Sequence, residues 1–373
     1  RLMSCQIFDG DASSADSQSA MAFIYAADNG ACIAQCSYGT SHIITNDDLY
    51  INGGELDVEG YKDPVKIDGS PLETAALLYF LDPSNSNHEA LEGNMAVFAA
   101  GNHSNPYSSY PGALPYVISV TAFGFDWMPG GYTNYGPGTN ICAPGGDYAV
   151  NASASIPERA QILSTTAVES ANYDSNYGWM QGTSMACPHV SGVVALGLSY
   201  GLKLGKTYDY DDFMGIFYSS VNDIDYYIET CTKMANGVNF DLLPFWKQMG
   251  TGAIDTWKFL MNLEGTPNIV AKIGEESKVS LVPCFGGAAP NLTYTKIEIS
   301  DEARQTLGIE GEPYINNGRL FVKCTKYGSA KISITAIAGG DTAATDAVMG
   351  GTEFTREVSL LSRDSIAENG GWL

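Results

Sequence analysis

Eleven residues, Gly182-Thr183-Ser184-Met185-Ala186-Cys187-Pro188-His189-Val190-Ser191-Gly192, constrain this chain more than any other part of it. They set a serine between a glycine turn and a long apolar run that predicts a helix. Gly182 can take backbone angles that a side chain forbids, and Pro188 is expected in the first helical turn, where its missing N–H costs nothing. Ser184 would then stand at the helix N-terminus, where free N–H groups and the positive end of the dipole favour developing negative charge. An ordinary N-capping serine satisfies a short G-x-S-x-A pattern equally well. The full eleven residues point instead to a nucleophile.

Two further blocks stand upstream in the same chain. Val97-Phe98-Ala99-Ala100-Gly101-Asn102 reads as a buried strand that turns into an asparagine, followed by Tyr110-Pro111-Gly112 and the apolar strand Tyr116-Val117-Ile118-Ser119-Val120. Gly30-Ala31-Cys32-Ile33-Ala34-Gln35-Cys36-Ser37-Tyr38-Gly39 reads as a strand ending in Ser-x-Gly. These blocks and their order resemble the subtilisin-like serine proteases. Gly-Thr-Ser-Met-Ala-x-Pro-His-Val-x-Gly is similar to that family's nucleophile motif, and Asn102 is similar to its oxyanion-hole asparagine. The resemblance extends through Thr133-Asn134-Tyr135-Gly136, Ile141-Cys142-Ala143-Pro144-Gly145 and Gly250-Thr251-Gly252-Ala253-Ile254-Asp255, so it covers residues 1–263.

The pairing of Ser184 with Asn102 makes chemical sense. Acyl transfer needs an attacking oxygen and donors aimed at the carbonyl oxygen as it becomes anionic, and losing one such donor costs about 100- to 1,000-fold in rate. The backbone N–H of Ser184 would be the second donor. On residue type alone Asn102 also fits a plain turn after a buried strand. The resemblance implies that Ser37, Tyr38 and Gly39 pair with an extended substrate backbone by strand addition, and that Ala99, Ala100 and Gly101 wall the specificity pocket.

A serine hydroxyl needs a general base, which in this family is a histidine from a His-Gly-Thr motif oriented by an aspartate from an Asp-Ser/Thr-Gly motif. The chain contains neither motif and has four histidines. His189 lies inside the nucleophile helix as an expected core residue. His42 reads as a loop residue near the substrate strand, His88 as solvated in a polar run, and His103 as the neighbour of Asn102. Asp9-Gly10-Asp11 and Asp68-Gly69-Ser70 superficially match the aspartate motif but read as turns. Since residues 1–8 match a strand downstream of both motifs in the family, the base and its aspartate are expected upstream of residue 1. A truncation, an associated upstream fragment and a pseudoenzyme all fit this pattern.

The 373 residues are 45% hydrophobic, enough to bury a sizeable core and to form two domains. Nineteen Lys and Arg against 42 Asp and Glu give a net charge of −23, which argues against nucleic acid or an anionic membrane surface as partner. No run of about 18 or more apolar residues predicts a membrane span. Nothing after Arg1 reads as a signal peptide. A charged fraction of 16% with many Tyr, Gly, Ser and Asn points to an exported protein, secreted or on a bacterial cell surface. The eight cysteines include no C-x-x-C pair, and Cys5, Cys32, Cys36, Cys142 and Cys187 are expected as buried thiols. Cys187, three residues past Ser184, could be proposed as nucleophile, but helical geometry aims Ser184 instead. Cys284 and Cys324, on expected strands, could bridge in an exported protein. No cofactor is expected. Calcium is common in the family, yet its best-known ligands lie largely upstream, so no metal site is assigned.

Residues 2–8, 32–37 and 95–99 predict strands and residues 17–29 and 72–81 predict helices, with Gly30 capping the first helix and a polar insertion over 40–70. This β-α-β order predicts an α/β fold, a subtilisin-like parallel sheet flanked by helices, with its ligand site at the carboxyl ends of the strands. After Gly265-Thr266-Pro267 short alternating runs predict strands over 268–273, 278–282, 292–299, 319–324, 331–336 and 353–361, with Asn317-Gly318 as a hairpin turn. The segment from Tyr327 to Thr335 resembles bacterial immunoglobulin-like modules. The expected division is therefore a protease-like domain over 1–264 and an all-β sandwich over 265–373, the latter a spacer, a stabiliser or a target-binding module.

The expected function is hydrolysis of peptide bonds in a peptide or protein substrate through a Ser184 acyl-enzyme. The alternative is a catalytically inactive, protease-like peptide-binding or adhesion protein. A carboxylesterase on an α/β-hydrolase fold fits poorly, because that fold needs a histidine after the nucleophile and none follows His189.

Overall fold

Ala20, Phe23, Ala26 and Ala27 recur at helical spacing, and they form the buried face of α1 (Asp16–Asp28). Gly30, at φ +77°, ends the helix as expected, with Gly30 N–H bonded to Ala27 O and Ala31 N–H to Ala26 O. The structure, a computed structural model, describes residues 1–8, 16–39, 71–151, 157–166, 176–228, 232–235, 237–339 and 351–364. His42, Asp9-Gly10-Asp11 and Asp68-Gly69-Ser70 lie outside the described residues. The chain forms two compact units, one of residues 1–210, 224–250 and 339–352, the other of residues 211–223, 251–338 and 353–373.

In the first unit, β1 (Ile33–Cys36), β2 (Met95–Ala99), β3 (Ile118–Phe123) and β4 (Ile141–Pro144) pair in parallel in that order, with α2 (Pro71–Leu81) between β1 and β2. Every residue of β2 and β3 is buried, as strands covered on both faces must be. Phe23 of α1, Leu77 and Phe80 of α2 and Phe98 of β2 share one core cluster. The short antiparallel pair β5 (Ile162–Thr165) and β6 (Tyr177–Met180) leads into α3 (Thr183–Lys203), which packs along β1 to β4. By length and composition α3 could cross a bilayer, but Ala186, Cys187, Val190, Val194 and Leu198 bury one side of it against the sheet.

Residues 2–8 do not form the strand that their apolar character suggested. Leu2, Met3 and Phe8 are exposed and no ladder includes them. A strand needs a partner, and among the described residues β1 pairs on one edge only, with β2.

Beyond α3 the second unit begins with α4 (Tyr210–Ser219) and β7 (Val221–Asn222). The chain then returns to the first unit as α5 (Asp225–Ile228) and the hairpin β8 (Thr232–Ala235) and β9 (Val238–Asp241). β10 (Ala253–Ile254) pairs antiparallel with β7, and Asp255 caps α6 (Thr256–Glu264) by accepting Lys258 N–H at 3.0 Å. The aromatic rings of Phe213 and Phe217 on α4 meet Phe259 of α6 edge-on.

The remaining strands are β11 (Asn268–Lys272), β12 (Glu276–Ser280), β13 (Thr293–Glu298), β14 (Ile309–Asn316), β15 (Arg319–Cys324), β16 (Gly328–Ala338) and β17 (Thr352–Arg363). They make a four-stranded sheet in the order β11-β17-β16-β13 and a three-stranded sheet in the order β12-β15-β14. Asn317 and Gly318, at φ +48° and +64°, turn β14 into β15 as the Asn-Gly signal predicts. The segment is not free of helix, however. Ser300 caps α8 (Asp301–Leu307) and Gly308 closes it at φ +58°, two turns being too short to register as periodicity. Cys284 sits in α7 (Val282–Phe285) rather than on a strand, and both it and Cys324 are free buried thiols, so no bridge forms between them. Of the other cysteines, Cys36, Cys142 and Cys187 are buried, while Cys5 and Cys32 are only half-buried.

Candidate active site

The carboxyl ends of parallel strands gather loops on one edge, and the loops after β1, β2 and β4 all meet the start of α3 there. Gly182 precedes the helix at φ +143°, ψ 164°, a backbone closed to residues with a Cβ, and donates its N–H to Gly145 O at 3.0 Å. Thr183, wholly buried, donates both its N–H and its hydroxyl to Asn102 Oδ1, at 2.8 and 2.9 Å. Gly101 N–H in turn donates to Thr183 Oγ1 at 3.2 Å. A backbone N–H can only be accepted by the amide oxygen, so Thr183 fixes which way the Asn102 amide faces. The two Nδ2 hydrogens of this exposed asparagine have no partner among the described residues.

Ser184 is half-buried and exchanges two bonds with Ser37. Its hydroxyl donates to Ser37 O at 3.2 Å, and Ser37 Oγ donates to Ser184 O at 2.7 Å. The second bond has a cause in the sequence. Pro188 is not in the first turn but is the sixth residue of α3, so Ser184 O has no amide four residues on to accept from. Ser37 fills that place, and Gln35 Nε2 donates to Ser37 Oγ at 2.6 Å, orienting the hydroxyl. Cys187 is fully buried and donates to Val97 O at 3.3 Å. Burial pushes its thiol up to about 11, and the Gln35, Cys36, Ser37 and Ser191 contacts only partly oppose this. It is a core thiol and not a nucleophile.

The turn carrying Asn102 is held by Asn134, which is completely buried. Its Nδ2 donates to Ala100 O and Ser109 Oγ, both at 3.0 Å, and its Oδ1 accepts from His103 N–H at 3.0 Å and Asn105 N–H at 3.1 Å. Gly101, at φ +109°, leaves room for this amide, since a Cβ there would lie 2.4 Å from Asn134 Nδ2. Ala99 and Ala100 are 5% and 0% exposed, so neither lines open surface; Gly101 is half-buried. Tyr38 turns its hydroxyl inward to Glu73 Oε1 at 2.8 Å, and burial raises its phenol well above the usual range, with Cys36 and Glu73 adding to the effect. Gly39 is exposed and lies against Tyr110, where a Cβ would come within 2.9 Å of Tyr110 O.

The described histidines lie elsewhere. His88 is half-buried rather than solvated, its Nε2 meeting Asn94 Oδ1 at 2.7 Å. His189 is half-buried and bonds Met185 O through Nδ1 at 2.8 Å, and His103 is exposed. No described histidine hydrogen-bonds Ser184 Oγ. Among the described residues no group of three or more His, Cys, Asp or Glu is arranged to hold a metal.

Sequence reasoning brought together Ser184, Asn102, Ser37 and Gly101, which the structure joins through Thr183 and Asn134. It missed the roles of Gln35, Thr183 and Asn134; an amide such as that of Asn134, which satisfies Ala100 O and the His103 and Asn105 N–H groups of a turn distant in sequence, has no local pattern.

The profile described as the subtilase family matches residues 1–207. Over 117 residues the chain is 38% identical to the extracellular basic protease of Dichelobacter nodosus, covering 31% of this chain and 17% of that protein. Over 201 residues it is 28% identical to the thermophilic serine proteinase of Bacillus sp. strain AK1, covering 54% of this chain and 36% of the relative. A solved structure of a protease from Pseudoalteromonas arctica is 24% identical, with a TM-score of 0.46, covering 67% of this chain and 59% of that one. The match thus spans only 17% to 36% of the length of the two curated relatives.

Proposed function

Since this chain belongs to the subtilase family, we propose that it is the downstream part of a subtilisin-like serine endopeptidase, acting on peptides or proteins through an acyl-enzyme on Ser184. Ser184 Oγ attacks the scissile carbonyl, and its proton passes to a histidine supplied from upstream of residue 1 and oriented by an aspartate. The same histidine returns the proton to the leaving amine, and water then releases the acyl group. Asn102 Nδ2 and the Ser184 N–H hold the oxyanion. Ser37, Tyr38 and Gly39 offer backbone to an extended substrate, and Gly101, with Ala99 and Ala100 behind it, bounds the pocket.

The observation that carries this reading is the Asn102 amide. Its oxygen is committed to Thr183 while both hydrogens have no partner among the described residues, beside the turn that presents Ser184. Such donors act where charge develops, at no cost of reorganisation. The names of relatives support a secreted bacterial protein. Alternating burial along β12, β15 and β17 supports an immunoglobulin-like sandwich as the appended module. The inactive peptide-binding alternative is favoured by one fact, that no described histidine reaches Ser184.

Fluorophosphonate labelling with peptide mapping separates the two. Labelling at Ser184 is expected when the chain is produced together with its upstream segment, and not in the Ser184→Ala variant. Absence of labelling with that segment present would leave the binding protein.

A further inference from the structure

The hairpin β8–β9 sends one lysine into the interior. Lys233 is 2% exposed at its side chain, and its ammonium meets Asp147 Oδ2 at 2.6 Å, Pro129 O, and the Asp126 carboxylate at 3.8 Å. A desolvated ammonium persists only with such partners, so the cluster fixes the segments that supply them. Asp147 is also buried, and its carboxylate accepts Gly131 N–H at 3.2 Å and Ala149 N–H at 3.1 Å. One cation thus ties residues 126–131 to residues 145–149.

The second of these segments is the one on which the serine turn hangs. Gly145 N–H donates to Phe123 O at 3.0 Å, Gly145 O accepts Gly182 N–H at 3.0 Å, and Tyr132 OH donates to Gly146 O at 2.6 Å. There is no slack at the joint. A Cβ on Gly145 would lie 2.5 Å from Ala122 Cβ and 2.8 Å from Gly182 O, so a shift of Asp147 is passed to Gly182.

We propose that Lys233 is a positioning residue for the nucleophile turn, acting through Asp147 and Gly145 on Gly182. Its catalytic consequence rests on the reading of Ser184 given above, whereas its geometry does not. The hairpin therefore tunes serine reactivity without touching the serine. The test is hydrogen–deuterium exchange on the full 373-residue chain, comparing wild type with Lys233→Met. Exchange at residues 130–133, 145–149 and 182–186 is expected to speed up on the order of tenfold to a hundredfold, while the distal half of α3 and the strands β2 and β3 stay as they were. Unchanged exchange at Gly182 would overturn the proposal. So would equal acceleration through the whole unit, which marks a general stabiliser. Should Lys233→Met fail to fold, Asp147→Asn, which removes the charge at constant shape, carries the same readout. Because exchange is read without activity, failure of Ser184 to label with the upstream segment present refutes the protease reading and leaves this result standing.

Discussion

Pro188 and Ser37 make a prediction that depends on a single carbonyl. A proline inside a helix removes the N–H that the carbonyl four residues back would accept, and here that carbonyl belongs to Ser184. Ser37 Oγ donates to it at 2.7 Å. A typical net hydrogen bond is worth about 0.5–1.5 kcal/mol, and an acceptor left unsatisfied in a half-buried place costs about 1–3 kcal/mol. Ser37→Ala is therefore expected to destabilise the first unit by about 1–2 kcal/mol. Pro188→Ala restores an amide at the missing position. In that background the carbonyl has a donor of its own, and Ser37→Ala should cost close to nothing. The double-mutant cycle thus predicts a coupling of about 1 kcal/mol between two residues 151 positions apart, Ser37 and Pro188. Pro188→Ala alone combines opposing terms, since Pro in a helix interior costs about 3 kcal/mol against Ala while Pro stiffens the unfolded chain by about 0.4–1 kcal/mol. The cycle cancels both. Because the chain has two units, a whole-chain melt mixes two transitions. The measurement is native-state hydrogen exchange of the β2 and β3 amides under increasing urea. An equal cost of Ser37→Ala in both backgrounds, within about 0.3 kcal/mol, would refute the account of why Ser37 points at Ser184.

Asn134→Ala removes four bonds from a buried amide and is expected to cost about 2–4 kcal/mol, with non-additivity among neighbours; a loss under about 1 kcal/mol in urea unfolding of the first unit would refute its role as the clamp of the Asn102 turn. Gly318→Ala strains φ +64° and brings a Cβ within 2.9 Å of the Ala289 backbone, so exchange of the β14–β15 amides should accelerate while those of β2 and β3 hold; a neutral result would contradict the tight turn. Burial raises the Cys187 thiol from the ordinary range near 9 to about 11, so the folded state holds its proton more tightly than the unfolded state does. Stability from this group is complete below pH 9 and is lost as pH rises toward 11, by up to about 2–3 kcal/mol. Unfolding of wild type and Cys187→Ala between pH 8 and 11 checks the sign, and an equally steep fall in the variant would assign the loss elsewhere.

What was legible in the sequence follows the range over which each signal acts. α1 with its Gly30 cap, β2, α3 and the Asn317-Gly318 hairpin all rest on spacing or turn chemistry within a few residues, and each came out at its expected place. Residues 2–8 failed for the opposite reason. Their apolar character is that of a strand, but a strand exists only with a partner, and the sequence of one segment says nothing of whether the neighbouring edge is filled. The site divides in the same way. Ser184 and Asn102 carry local patterns. Thr183 and Asn134 bind them into one geometry through contacts that span 81 and 34 positions, and Gln35 bonds Ser37 two residues away but to an end that no periodicity records. Lys233 is the extreme case. By residue type and mean behaviour it belongs on the surface, and only the coincidence of Asp147, Asp126 and Pro129 O in space turns it inward. A nucleophile motif can therefore be read from eleven residues. The stiffness with which it is held comes from single polar side chains, each satisfying backbone from another loop, and these must be found in three dimensions.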